Sequence, residues 1–177
     1  MKHIVLGGLA LLASAAFAQG APIKIGEINS YSTMPQFTQP YRQGWQLAVE
    51  EVNAAGGLLG RKVEVIARDD AGKPEEALRH AVELDPMNLP AVGELARFFD
   101  RQSDVQSMRV HLDRSAARWL QVLRERPEDT TAFRALLQIF LWRRAMDQAT
   151  MAAEILAQLE GESSLPPEGQ ALLQAQA

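Results

Sequence analysis

The pattern of apolar residues changes period near residue 75, and that change limits what the chain can fold into. Before it, a run that alternates apolar and polar side chains is followed by helical spacing and then by a second β-rich run. After it, only helical spacing is found. The composition shifts at the same place. All four lysines (Lys2, Lys24, Lys62, Lys73) and nine of the twelve glycines lie before it, while eleven arginines and no lysine lie after it. The seam predicts two modules of different origin, so function is argued for each.

Residues 1–18 read as an export signal. Lys2 and His3 give a basic start, Ile4 to Phe17 is an apolar run, and Ala16-Phe17-Ala18 has the small-x-small form of a cleavage site. The run is too short to cross about 30 Å of hydrocarbon at about 1.5 Å per residue, and no second apolar span follows. A cleaved signal places the mature chain in the periplasm or outside the cell. It carries no cysteine, so disulfide, thiolate-metal and thiol-nucleophile chemistry are excluded. A formal charge of −4 argues against nucleic acid as a partner.

In residues 19–74, Ile23 to Ile28 predicts a strand. Asn29 to Pro40 predicts a loop with two prolines. A helix from Tyr41 presents Trp45, Ala48, Val49 and Val52 on one face and ends at Asn53-Ala54-Ala55-Gly56-Gly57. Arg61 to Arg68 predicts the second strand, and Pro74 is placed to open the next helix. The order β-α-β-α is the start of a parallel doubly wound sheet, here two strands wide and half-covered. Gly56 to Gly60 lacks the spacing of a phosphate loop and reads as a tight turn. Asp69 and Asp70 read as solvated or capping carboxylates.

The stretch from Ile23 to Ala77, with G-x-x-L-A-V-E-E-x-N-A-A-G-G-x-x-G-R-K (residues 44–62) and D-D-A-G-x-P (69–74), resembles the start of a periplasmic substrate-binding protein of the branched-chain amino-acid ABC-transporter type. The resemblance covers residues 19–76. It implies that the loop after the first strand approaches the ligand, with Phe37 as a pocket wall and Tyr31 as a second loop aromatic. The segments with which that family holds the ligand's charges and closes its second lobe have no counterpart in this sequence. A zwitterion leaves water only when both charges find partners. A bound amino acid is therefore not expected, and Phe37 then reads as a packed or partly exposed loop aromatic.

Residues 75–177 predict helices only: Glu75 to Leu84, one through Phe99, one from Asp104 to Arg126, Thr130 to about Arg144, Met146 to Glu160, and a short terminal helix. The punctuation E-L-D-P-x-N (83–88) and E-R-P-E-D (125–129) resembles tetratricopeptide repeats. Leu95, Ala96 and Phe99, then Leu136, Leu137 and Phe140, take the packing positions, and Ala149 takes the small-residue position. Pro86 and Pro127 are 41 residues apart, against a family period of about 34. The longer helix from Asp104 to Arg126 accounts for the difference. Ser115 and Met108 stand where that family has alanine.

The tetratricopeptide resemblance implies a peptide groove lined by Arg97, Arg101, Arg134 and Gln138 with Trp142 nearby. Arginines there suit a peptide carboxylate, and a tryptophan suits an apolar anchor. The other reading of the same residues is a solvated arginine face paired with acids such as Glu94 and Asp100. His80 and His111 have no ligand-spaced partner, so no metal or other cofactor is expected. No serine sits in a nucleophile elbow, and no constellation supports an enzyme.

The fold expectation is a mainly α chain: a small N-terminal βαβ segment, the truncated start of a doubly wound α/β fold, followed by tetratricopeptide-like antiparallel helix pairs. Three functional readings stand. One is an exported, non-enzymatic binding protein that joins a solute-binding start to a helical interaction scaffold. The second is an amino-acid-binding component of an ABC transporter. The third is a fusion with no evolved joint function.

Overall fold

Two isoleucine- and valine-rich runs form the sheet. Strand β1 (Ile23–Asn29) pairs in parallel with β2 (Val63–Asp69), with Ile23 opposite Val63 and Asn29 opposite Asp69. The computed structural model describes residues 20–175, so the expected export signal at 1–18 lies outside the described residues. Helix α1 (Pro35–Ala54) makes the crossover between the strands. It begins six residues before the expected Tyr41. Pro35 sits at the start of α1, where a missing N–H costs nothing, and Pro40 removes a single bond one turn later. Phe37 is therefore a first-turn helical residue and not a loop residue.

The α1–β2 junction is closed by local chemistry. Gly57 N–H donates to Val52 O (2.8 Å) and Gly56 N–H to Asn53 O (3.3 Å), a paired C-terminal cap that needs positive φ at Gly56 (+103°). Leu58 and Arg61 then exchange two backbone hydrogen bonds around Leu59 and Gly60, both with positive φ, the signature of a tight I′ hairpin turn. The Asn53 side chain clamps helix to strand, donating to Val63 O (2.8 Å) and accepting from Val63 N (2.7 Å).

Helix α2 (Pro74–Leu84) crosses to the other face of the sheet, where Leu84 packs on Gly26. A Cβ at Gly26 would lie 3.0 Å from Leu84 Cδ1. The same helix starts the helical stack. It packs on α3 (Leu89–Arg101), and Val82 is fully buried in the helical core. Then come α4 (Val105–Glu125), α5 (Thr130–Trp142), α6 (Met146–Glu160), a single 3₁₀ turn (Glu162–Ser164) and α7 (Pro167–Gln174). Each helix packs on the next, and α3 also packs on α5. Connections of three to four residues turn each helix back on its predecessor through α6.

The 41-residue offset between Pro86 and Pro127 is carried through the backbone. Asn88 caps α3 by accepting from Ala91 N–H, and Asp129 caps α5 by accepting from Ala132 N–H. At the far ends, Asp104 N–H donates to Phe99 O and Ala145 N–H to Phe140 O, around Ser103 (φ +57°) and Arg144 (φ +59°). α3 and α5 each have 13 residues, and every one of these partners lies 41 residues from its equivalent. The helical unit therefore contains an internal structural repeat.

The core lies entirely within that unit. It runs from Leu78 and Val82 to Leu172 and Leu173, with Leu95, Leu112, Leu137, Ile139 and Leu156 sealed at its centre. In residues 20–73, by contrast, only Tyr31 and Thr38 are buried, and seven of the thirteen exposed large apolar side chains among the described residues are there. An open apolar groove of about 420 Å³ runs between α1 and the sheet, lined by Ile25, Trp45, Val49 and Val65 among others. A two-stranded sheet with one helix on each face buries too little apolar surface to build a core of its own.

Candidate functional site

The carboxyl ends of the two strands are where an open α/β sheet takes a ligand. Here the polar groups at those ends are used internally. Ser30 Oγ donates to Asp70 Oδ1 (2.7 Å), which also accepts from Gly72 N–H (2.8 Å). Asp69 accepts from Ala71 N–H (3.0 Å) and Ser32 N–H (3.1 Å). The Ala71 backbone amide, and next the Ser32 side chain, hold the Asp69 carboxyl below its usual range. The aspartate pair acts as a clasp between the two loops.

Tyr31 is buried and faces inward. Its hydroxyl donates to Glu27 Oε2 (2.6 Å) and accepts from Trp45 Nε1 (3.3 Å), and the Arg42 guanidinium lies 5.2 Å over its ring. Burial, reinforced by the Glu27 carboxylate, pushes the Tyr31 hydroxyl pKa up. Phe37 goes the other way and is 70 % exposed. The structure therefore does not bring the two aromatics together around a cavity. Tyr31 belongs to an internal Glu27–Tyr31–Trp45 chain, which sequence spacing did not reveal.

The second candidate surface is the face of α3 and α5. Arg97 and Gln138 occupy equivalent positions of the 41-residue repeat, and so do Arg101 and Trp142. Arg97 and Arg101 are exposed one turn apart on α3. Arg97 pairs with Glu94 (2.6 Å), an exposed contact that water and salt weaken. Gln138 is partly buried.

Arg134 is engaged elsewhere. Its guanidinium pairs with Glu160 and donates to Ser164 O (2.9 Å), tying α5 to the end of α6. The Thr130 side chain, with Arg134, holds the Glu160 carboxyl below its usual range. Trp142 lies across Gly93 of α3: a Cβ at Gly93 would meet Trp142 Cη2 at 2.7 Å. It is a packing residue between neighbouring repeat helices, not a free anchor. Asp100, read from sequence as a same-helix partner of the arginines, pairs instead with Arg144 (3.2 Å). The 41-residue spacing is the signal that finds these equivalences. The contacts of Arg134 and Trp142 leave none.

Among the described residues, no group of three or more histidine or carboxylate side chains is placed to hold a metal ion, and no helix is long and apolar enough to cross a membrane.

Comparison with known proteins matches the α/β segment. Residues 22–85 match the family described as periplasmic binding protein, a stretch that ends at Asp85, the residue capping α2. The Leu/Ile/Val-binding protein homolog 7 of Brucella abortus is 33 % identical over 84 residues, covering 47 % of this chain and 21 % of that protein. The Leu/Ile/Val-binding protein BraC3 of Rhizobium johnstonii is 39 % identical over 74 residues, covering 40 % and 20 %. An amino acid binding protein of Pseudomonas aeruginosa is 40 % identical over 48 residues, covering 27 % and 13 %. The chain spans about a fifth of the length of the first of these relatives. The similar part is thus β1 to α2, and these relatives are binding proteins.

Proposed function

We propose that this chain, similar over residues 22–85 to periplasmic binding proteins, is an exported, non-enzymatic binding protein whose binding surface is the helical repeat. In this reading a solute-binding start is joined at α2 to tetratricopeptide-like helix pairs, and the protein works in the periplasm or outside the cell. One observation carries the proposal: α3 and α5 repeat with a fixed 41-residue register, in which Arg97 is equivalent to Gln138 and Arg101 to Trp142, and Arg97 and Arg101 are exposed. Stacked helix pairs present such rows as an extended binding face. The longer period is taken up by α4, which has 21 residues.

Two exposed arginines on an otherwise acidic chain suit an acidic peptide or a free C-terminal carboxylate. The test is fluorescence polarisation with a labelled acidic peptide, against wild type and against Arg97→Ala combined with Arg101→Ala. Binding that weakens as salt rises, and is lost in the double variant, is the expected result. Equal binding by both proteins, or by neither, removes the proposal.

The relatives' names favour a second reading, binding of a branched-chain amino acid by the α/β segment. The geometry opposes it, since Ser30 is engaged with Asp70, Asp69 and Asp70 with backbone amides, and Tyr31 with Glu27 and Trp45. Calorimetric titration with leucine, isoleucine or valine is expected to show no site as tight as about 1 μM, which would need about −8.2 kcal/mol. A saturable heat abolished by Phe37→Ala would establish the amino-acid reading instead.

A further inference from the structure

The groove between α1 and the sheet has two unlike ends. At one end the Asn53 side chain bonds to Val63, so the last turn of α1 lies beside the start of β2, and the walls are Val52, Leu58 and Val63. Towards the other end Trp45 Nε1 donates to the Tyr31 hydroxyl, which donates to Glu27 Oε2, so the middle of α1 lies beside the second half of β1. Val63 is level with Ile23, and Glu27 stands further along β1, roughly 13 Å away at about 3.3 Å per residue. The groove therefore runs from a wholly apolar end to one that holds a carboxylate.

Among the described residues, Glu27 is the only charged side chain that lines this groove. It is partly buried, and no ion pair among the described residues includes it. Arg42 lies over the Tyr31 ring and does not line the groove. Tyr31 fixes one oxygen of the carboxylate, and the rings of Tyr41 and Trp45 share the groove walls with it. Such a wall is complementary to a cation that carries apolar surface, since aromatic faces attract cations and the carboxylate supplies the opposite charge. At about 420 Å³ the groove has the volume of a small-molecule site. An amino acid or a phospholipid headgroup brings an anion as well, and no lining side chain is a cation to pair with it.

We propose that this groove binds a free alkylammonium amphiphile, with its ammonium at Glu27 beside Tyr41 and Trp45 and its alkyl chain along Val52 and Val63. The apolar walls have no directional preference, so the chain contributes affinity and the carboxylate sets the orientation. The Glu27–Tyr31–Trp45 chain then has a role in binding. It holds the carboxylate in one position before the cation arrives, which lowers the cost of ordering it. The site lies wholly within the α/β segment and is independent of the face that carries Arg97 and Arg101.

Calorimetric titration of the full chain with decyltrimethylammonium, below its micelle concentration, tests the site. Decyl maltoside is the neutral probe, and decylphosphocholine is the probe that adds a phosphate. The expected result is saturable binding of the cation about tenfold tighter than of either other probe, weakening as salt rises. Glu27→Gln keeps an acceptor for the Tyr31 hydroxyl and should lower the cation to the affinity of the neutral probe. Ala48, an exposed position on the groove wall, supplies the second variant: Ala48→Phe should fill the groove and abolish binding of all three probes. If Glu27→Gln does not fold, the order of the three probes and Ala48→Phe still decide. Absent binding of the cation, equal affinity for all three probes, unchanged cation affinity in Glu27→Gln, or binding that survives Ala48→Phe overturns the proposal. So does a chain that sediments as a dimer and takes up the probe only on dissociating, which would assign the groove to a second copy.

Discussion

Phe140→Ala is expected to remove about 3–5 kcal/mol of stability, the range for truncating a buried phenylalanine. That is a large part of the roughly 5–15 kcal/mol a domain has. The side chain is 8 % exposed and sits in the core shared by α2 to α7, one turn before the αL residue that ends α5. Its equivalent in the preceding unit, Phe99, holds the same place, so neither layer can collapse into the gap without disturbing the other. The midpoint of thermal unfolding should fall by roughly 6–20 °C for a chain of this size. Phe37→Ala is the matched control. Its ring is 70 % exposed, and the change should stay within about 0.5 kcal/mol. Equal melting of Phe140→Ala and wild type would mean that the helices are not held by the stack described above. Trp119 is only partly buried and packs against the cluster from its margin.

The helices were legible because their ends are written in local chemistry. Asn88, Asp104 and Asp129 each cap the next helix through their own side chains, and Pro86 and Pro127 each stand two residues past a helix end. None of that depends on tertiary contacts, so the boundaries of α2 to α6 follow from the sequence to within a residue or two. The start of α1 did not follow. Two prolines suggest a loop, yet one sits where its missing donor is harmless. The seam placed at residue 75 marks a real change of pattern, but α2 crosses it. It packs on β1 and is also the first helix of the stack.

The candidate sites were less legible, for a physical reason. Whether an arginine or an aromatic is free depends on partners far along the chain. Arg134 is fixed by Glu160 and Ser164, 26 and 30 residues on, and Trp142 by the absence of a side chain at Gly93. Tyr31 turns inward because Glu27 and Trp45 meet its hydroxyl. Spacing reports which residues share a face. It does not report which of them that face has already engaged.

Gly57→Ala should be the most damaging small change in the α/β segment. The residue has φ of +82°, and a Cβ there would lie 2.1 Å from Arg61 O and 2.6 Å from the Arg61 carbonyl carbon. Both obstacles are backbone, and Arg61 O also accepts the hydrogen bond from Leu58 N–H (2.7 Å) that closes the turn. The substitution must either break that turn or lose the cap on α1, where Gly57 N–H reaches Val52 O. A left-handed conformation alone costs about 1–3 kcal/mol for a residue with a side chain, and the overlap adds to it. Gly60→Ala separates the two effects. Gly60 also has positive φ (+73°), but a Cβ there meets nothing within 4 Å, so only the conformational cost applies. Thermolysin cleavage within residues 20–73 should therefore accelerate clearly more for Gly57→Ala than for Gly60→Ala, with the helical unit intact in both. Equal acceleration would show that the Arg61 carbonyl is not packed against Gly57, and that the α1–β2 junction is looser than its hydrogen bonds describe. Because Asn53 clamps Val63 immediately beside this turn, a junction that gives way at Gly57 should also free β2 from α1. That would leave β1, held from the other face by α2, as the part of the segment still docked on the helices.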